Sequence, residues 1–220
     1  MTPGVALAAD EADHRPARPD AAPMTPMPSG WIHVISGCMF SGKTDELLRL
    51  LRRADIAGRR VMLIRPRLDD RSAPEVIESR SGVAFPAVPV ASSAEIPALV
   101  SHERASVVAI DEAQFFDDGI VEVAELLASE GRMVLLSGLD QDFLGRPFGK
   151  LPELLALADE VTKLTAICTI CGAEATRTQR LVGGRPAGRD DPLIVVGGLD
   201  DEKYEARCRA HHVVGAGRSA

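Results

Sequence analysis

Nothing in this chain reads as a membrane anchor. No apolar run approaches the roughly 18 residues that cross a bilayer. The apolar patch at residues 5–9 is too short for an export signal, and acidic residues follow it at once. Basic charge is also in deficit. With 25 Lys and Arg against 32 Asp and Glu, the net charge is −7, which argues against a general nucleic-acid binder because phosphate backbones select basic surfaces. One mononucleotide stays open, since a loop, a lysine and a metal can meet its charge locally. Aromatic residues make up 4% and include a single tyrosine, Tyr204. Cysteines number four. The expected compartment is the cytoplasm, where thiols stay reduced, so the four suggest metal binding or catalysis ahead of disulfides.

What is present fits a globular chain. Its 220 residues suggest one domain, or one with an appendage, and 45% hydrophobic content supplies a sizeable core. Residues 1–28 are rich in Ala, Pro and Asp without periodicity. They read as a disordered tail, either a tolerated extension or a start placed upstream of Met24 or Met27. Order begins at Trp31, with an apolar strand over 31–35. A helix follows over 43–56, with Leu47, Leu48, Leu50 and Leu51 at helical spacing and Gly58 as its stop. Further strands are expected over 60–64, 106–110 and 133–136, and a helix over 119–129. This alternation predicts an α/β fold of P-loop NTPase type, a mostly parallel sheet flanked by helices. Residues 69–90 read as a mobile connection or an irregular hairpin. From about Thr165 the texture turns to Cys, Gly, Arg and Thr, which predicts a small β-rich appendage. The expected domains are a tail at 1–28, an α/β unit at 29–164, a zinc-binding unit at 165–213 and a frayed tail at 214–220.

The glycine-rich stretch Gly37, Cys38, Met39, Phe40, Ser41, Gly42, Lys43, Thr44 fits the phosphate-loop pattern G-x-x-x-x-G-K-[ST]. Its glycines let backbone N–H groups turn inward onto phosphate oxygens, and the following helix adds its positive dipole end. Lys43 would neutralise the outer phosphates, and Thr44 would bind magnesium through its hydroxyl. Asp111 ends an apolar strand, where such proteins place the aspartate that holds magnesium. Glu112, one residue on, is the candidate general base. The pair leaves the phosphate acceptor open, because a glutamate there activates water as readily as an alcohol.

Cys168 and Cys171 form a C-x-x-C, and Cys208 with His211 a C-x-x-H. Together they make a four-ligand set suited to structural zinc, with His212 as the alternative fourth ligand. The residues between the two pairs form a long strap held at both ends.

These motifs, in order, resemble the zinc-containing, type II thymidine kinases. The resemblance runs from the phosphate loop through Asp111, Glu112, Ala113, Gln114, Phe115, Phe116, then Gly138, Leu139, Asp140, then Phe143 and Arg146, Pro147, Phe148, Gly149. It continues through Lys163, Leu164, Thr165, Ala166 and the C-x-x-C to Val196, Gly197, Gly198, Tyr204 and Cys208. It implies transfer of the γ-phosphate of ATP, as its magnesium complex, to the 5′-hydroxyl of thymidine or deoxyuridine, with Glu112 as base. It places Gln114 with the phosphate site. It places Met39, Phe115, Phe143, Thr178 and Tyr204 around the nucleoside base, with the backbone of Val195, Val196 and Gly197 reading the pyrimidine edge. Asp69 and Arg71 match a segment near the phosphates. It also implies a homotetramer, while the acidic balance and the lack of a membrane-length apolar run lead one to expect neither nucleic-acid nor membrane partners. One departure stands out: the stretch between Gly198 and Tyr204 is two residues longer than the resemblance leads one to expect. The rival reading is a P-loop ATPase whose zinc module binds nucleic acid or protein.

Overall fold

The computed structural model describes residues 30–67, 76–78, 84–193 and 202–216. The expected N-terminal tail lies outside them, as do Asp69, Arg71, Val195, Val196 and Gly197. The first part of the chain runs β1 (Trp31–Gly37), α1 (Lys43–Ile56), β2 (Val61–Pro66), β3 (Val76–Glu78), β4 (Ala84–Pro86), β5 (Val88–Val90), α2 (Ile96–His102), β6 (Val107–Ile110), α3 (Ile120–Ser129), β7 (Met133–Gly138), α4 (Leu151–Leu157) and β8 (Glu160–Leu164). Six of these strands make one sheet in the order β5-β2-β6-β7-β1-β8. Every pairing in it is parallel.

Parallel strands covered on both faces need apolar side chains on both faces, and the pattern supplies them. Ile32 and Val34 of β1, Val108 and Ile110 of β6, and Val134 and Leu136 of β7 pack against α2, α3 and α4. Ile35, Ala109 and Leu135, one residue out of step, pack against α1. Helix α1 meets them with Leu47, Leu48, Leu51 and Ala54, one stripe at 3.6-residue spacing and fully buried. Asp45 and Glu46 in its first turn favour its dipole, and Gly58, at φ 75°, ends it. There the Arg59 N–H turns back to the Ala54 carbonyl at 3.0 Å.

The helices expected over 43–56 and 119–129 are present, the latter starting one residue later. The strands at β1, β2 and β7 run on to the carboxyl edge through Ser, Gly and Pro residues that a sequence pattern reads as loop. The stretch expected to be a mobile connection or irregular hairpin holds an antiparallel pair, β3 with β4. Its end differs from that expectation: β5 joins the main sheet as an edge strand beside β2. Proline at Pro89 disguised it, and an edge position is where a strand tolerates proline.

The remainder forms short antiparallel pieces: β9 (Ala166–Ile167), β10 (Glu174–Ala175), β11 (Arg177–Val182), β12 (Arg185–Pro186) and β13 (Glu202–Arg207). β9 pairs with β10, and β11 lies between β12 and β13. Fraying was expected from residue 214, yet Gly215 bridges to Gly188 and its N–H donates to the Ala187 carbonyl at 2.9 Å. A Cβ at Gly215 would lie 2.5 Å from the Pro186 carbonyl oxygen, so its glycine permits the close approach.

Candidate active site

In a parallel sheet all the carboxyl ends open on one edge, which is where ligands bind. Here β6, β7 and β1 are neighbours, so the loops after Ile110, Gly138 and Gly37 converge. The loop after β1 begins at Gly37, where a Cβ would lie 2.5 Å from the Leu164 carbonyl oxygen. Gly42, at φ 86°, turns the chain into α1. The buried Lys43 donates to the Cys38 carbonyl at 2.9 Å, so the loop arches around its ammonium. Burial lowers the Lys43 pKa, against the pull of Glu112.

Asp111 is held at the end of β6. Its carboxylate accepts from the Thr44 hydroxyl at 3.5 Å and from the Ser137 hydroxyl. Glu112 adopts the left-handed conformation at φ 53°, rare outside glycine, which swings its side chain off the strand direction. Gln114 fixes it there, donating from Nε2 to Glu112 Oε2 at 2.5 Å while its Oε1 accepts the Leu139 N–H at 3.0 Å. Gly138 and Gly149 leave space for Gln114, since a Cβ at either would come within 2.5 Å of its oxygens. Burial, and then the charge of Asp111, raise the Glu112 pKa; burial also raises that of Asp111.

Lys43, Thr44 and Glu112 open into a cavity of about 470 Å³. Met39, Phe115, Phe143, Thr178 and Tyr204 line the same cavity, with Phe40 and Gly42. Phe115 packs edge-on against Phe148 with ring centres 5.4 Å apart. Thr178 accepts the Met39 N–H on its hydroxyl at 3.0 Å, joining β11 to the glycine-rich loop. The Tyr204 hydroxyl donates to Glu202 at 2.5 Å. Burial and that bond push its pKa up to about 12. Cys38, Asp111 and Gln114 stand behind the lining; the Cys38 thiol donates to the Ala175 carbonyl at 3.3 Å. Asp45, Leu139, Gln141, Asp142, Phe148 and Leu193 also line the cavity and were not singled out from the sequence as site residues. Leu139 and Phe148 sit inside the motifs that carry the family resemblance, so a signal for them existed.

The four donor atoms of Cys168, Cys171, Cys208 and His211 all lie within 4.8 Å of one another. Tetrahedral zinc with Zn–S near 2.3 Å sets its ligands roughly 3.8 Å apart. The Cys171 and Cys208 sulfurs are 3.9 Å apart, and His211 Nδ1 is 3.3 Å from Cys208 Sγ and 3.7 Å from Cys168 Sγ. Burial resists ionisation of Cys168, but backbone N–H groups of Cys208, Ile170 and Cys171 bring its thiol down to about 5. A stabilised thiolate is the form a metal takes, so this donor set could hold zinc. His212 stands apart from it and anchors a cavity wall, with Nε2 2.9 Å from the Phe143 carbonyl oxygen.

A family model described as thymidine kinase matches residues 30–212, a span that holds both the cavity and the Cys/His cluster. The chain belongs to the thymidine kinase family. A thymidine kinase of Coprothermobacter proteolyticus is 55% identical over 185 residues, covering 84% of this chain and 91% of the relative. For a thymidine kinase family member the convergence of Glu112, Lys43 and the aromatic wall in one cavity has a direct chemical meaning. Among the described residues, no helix is long and apolar enough to cross a membrane.

Proposed function

We propose that this chain phosphorylates thymidine at its 5′-hydroxyl with ATP as donor. Membership of the thymidine kinase family supports thymidine as acceptor and a phosphotransferase as the class. The observation that carries the mechanism is that Glu112 faces the same cavity as Lys43, Thr44 and the aromatic wall.

In this reading the nucleoside base lies among Met39, Phe115, Phe143 and Tyr204, with Thr178 at its edge. The triphosphate follows the loop from Gly37 to Thr44, including Cys38, Phe40, Ser41 and Gly42, with Gln114 behind. Lys43 draws charge from its outer phosphates. The 5′-oxygen attacks the γ-phosphorus, the bond to the bridging β–γ oxygen breaks, and Glu112 takes the hydroxyl proton. A carboxylate with a raised pKa is a better proton acceptor than an ordinary one. Thr44 and Asp111 would hold magnesium, their oxygens 3.5 Å apart at the mouth of the loop. Bound there, magnesium supplies neutralisation of phosphate charge. Zinc at Cys168, Cys171, Cys208 and His211 would be structural, because four protein ligands leave no open position. The division into an α/β kinase unit and a zinc unit with the strap as a lasso belongs to the same reading, as do a cytoplasmic location and a homotetramer. Sedimentation velocity measures the last.

ATP turnover measured with thymidine, with DNA and with neither tests the acceptor. Turnover that follows thymidine is expected; turnover stimulated by DNA and indifferent to nucleoside overturns the reading. Glu112→Gln is expected to cut transfer by about 10²–10⁴-fold with nucleotide binding largely retained. Near-normal transfer in that variant would put the base elsewhere.

A further inference from the structure

Behind the aromatic wall sits a charged group that the reaction above does not use. Arg180, in β11, is 1% exposed. Its Nε lies 2.6 Å from Oε1 of Glu202 in β13, a side chain that is itself 4% exposed. Its Nη1 donates to the Pro192 carbonyl at 2.5 Å. Its guanidinium carbon lies 5.1 Å from the centre of the Phe143 ring. The Tyr204 hydroxyl donates to the same Glu202 Oε1 that faces Arg180 Nε. One planar group thus meets both sides of the excursion between β12 and β13, and it touches one aromatic wall directly and the other through Glu202.

Stability is a poor explanation for such a pair. Desolvating two charges offsets most of their attraction, and buried pairs are often replaced by apolar residues without loss. What a guanidinium supplies is direction. It meets three partners in three ways, by the Nη1 hydrogen bond to Pro192, by charge on Glu202 and by its flat face on Phe143, which a lysine's compact charge cannot match. The partners here belong to the nucleoside end of the cavity: Phe143 and Tyr204 line it, and Pro192 precedes Leu193, which also does. Glu202 falls in the stretch that is two residues longer than the resemblance implies. The register still carries Tyr204 opposite Arg180 on the neighbouring strand.

We propose that Arg180 is a positioning residue for the nucleoside, setting the separation of Phe143 and Tyr204 by holding Glu202, Pro192 and the Phe143 ring together. The proposal rests on the thymidine kinase reading. It assigns Arg180 no contact with the substrate and no part in proton transfer.

The test compares kcat and the KM values for thymidine and ATP in the full chain and three variants: Arg180→Lys, Glu202→Gln and the apolar pair Arg180→Met/Glu202→Leu. In each variant the thymidine KM is expected to rise about tenfold while the ATP KM stays within about twofold. The apolar pair is expected to keep wild-type metal content and to unfold at or above the wild-type temperature. A wild-type thymidine KM in the folded apolar pair overturns the proposal, as do equal rises for both substrates. Failure of the apolar pair to fold also overturns it, because the ion pair would then serve stability. Wild-type protein that turns over ATP without thymidine dependence ends the kinase reading itself, before any variant is compared.

Discussion

The parallel sheet and the Cys/His region hold their shape by different means. The sheet region buries two large apolar clusters, one on each face, built from Leu, Ile and Val. Among the described residues, the cluster nearest the cysteines contains Cys38, Ala166, Cys168, Ala175 and Ala206, with Cys208 packed against it. Cores of alanine and cysteine bury little area per residue, and the hydrophobic contribution scales with that area. The smaller region relies on specific ties instead: four converging metal donors and the Gln179 side chain. That amide donates to the Val213 carbonyl at 2.8 Å and accepts the Val213 N–H at 2.9 Å. Regions built from diffuse burial lose stability by degrees, whereas regions built from a few ties fail when one tie is cut.

The largest expected effect breaks the weaker side of that contrast. Cys168→Ser is expected to lose zinc, which elemental analysis reads, and to melt the Cys/His region first. Structural zinc is worth about 10–16 kcal/mol in small zinc-dependent folds, so little else could replace it. Thymidine affinity is expected to fall more than ATP affinity, since β11 and β13 supply Thr178 and Tyr204 to the cavity. Equal losses would mean that the metal supports the whole fold. Next in size is Leu48→Ala, a cavity in the α1 face, expected to cost about 2–5 kcal/mol in denaturant unfolding with zinc content unchanged. A loss of metal in that variant would show that the two regions are not held separately.

The smallest expected effect is a pH dependence inside the sheet. His33 is 3% exposed on β1, with Nε2 2.9 Å from the Thr162 hydroxyl on β8. Burial lowers its pKa from 6.5, against the opposing pull of Glu160. The unfolded chain therefore takes up this proton first, and stability is expected to fall as pH drops below 6.5. His33→Gln is expected to flatten that slope, measured by urea unfolding between pH 7 and 5. An unchanged slope would place the acid sensitivity on other groups.

The same contrast explains which parts of the molecule are legible in the sequence. Long apolar periods announced β1, α1, β6, α3 and β7, because burial on both faces writes itself into the pattern. The short elements escaped for local reasons. α2 and α4 have seven residues each, with a proline at the start of each. β8 is an edge strand of mixed polarity, with Glu160 and Lys163 on an open rim. Motif residues such as Lys43, Glu112 and Cys168 were legible because chemistry restricts them to a few residue types. The Arg180–Glu202 tie was not, since its members lie 22 residues apart, joined only by the β11–β13 register.

The end of β8 carries one more consequence. Gly37 pairs with Leu164 in the β1–β8 register, and Cys168 follows four residues later. The glycine-rich loop and the first cysteine pair therefore take root on adjoining strands of one sheet, so a change at either end is expected to be felt at the other.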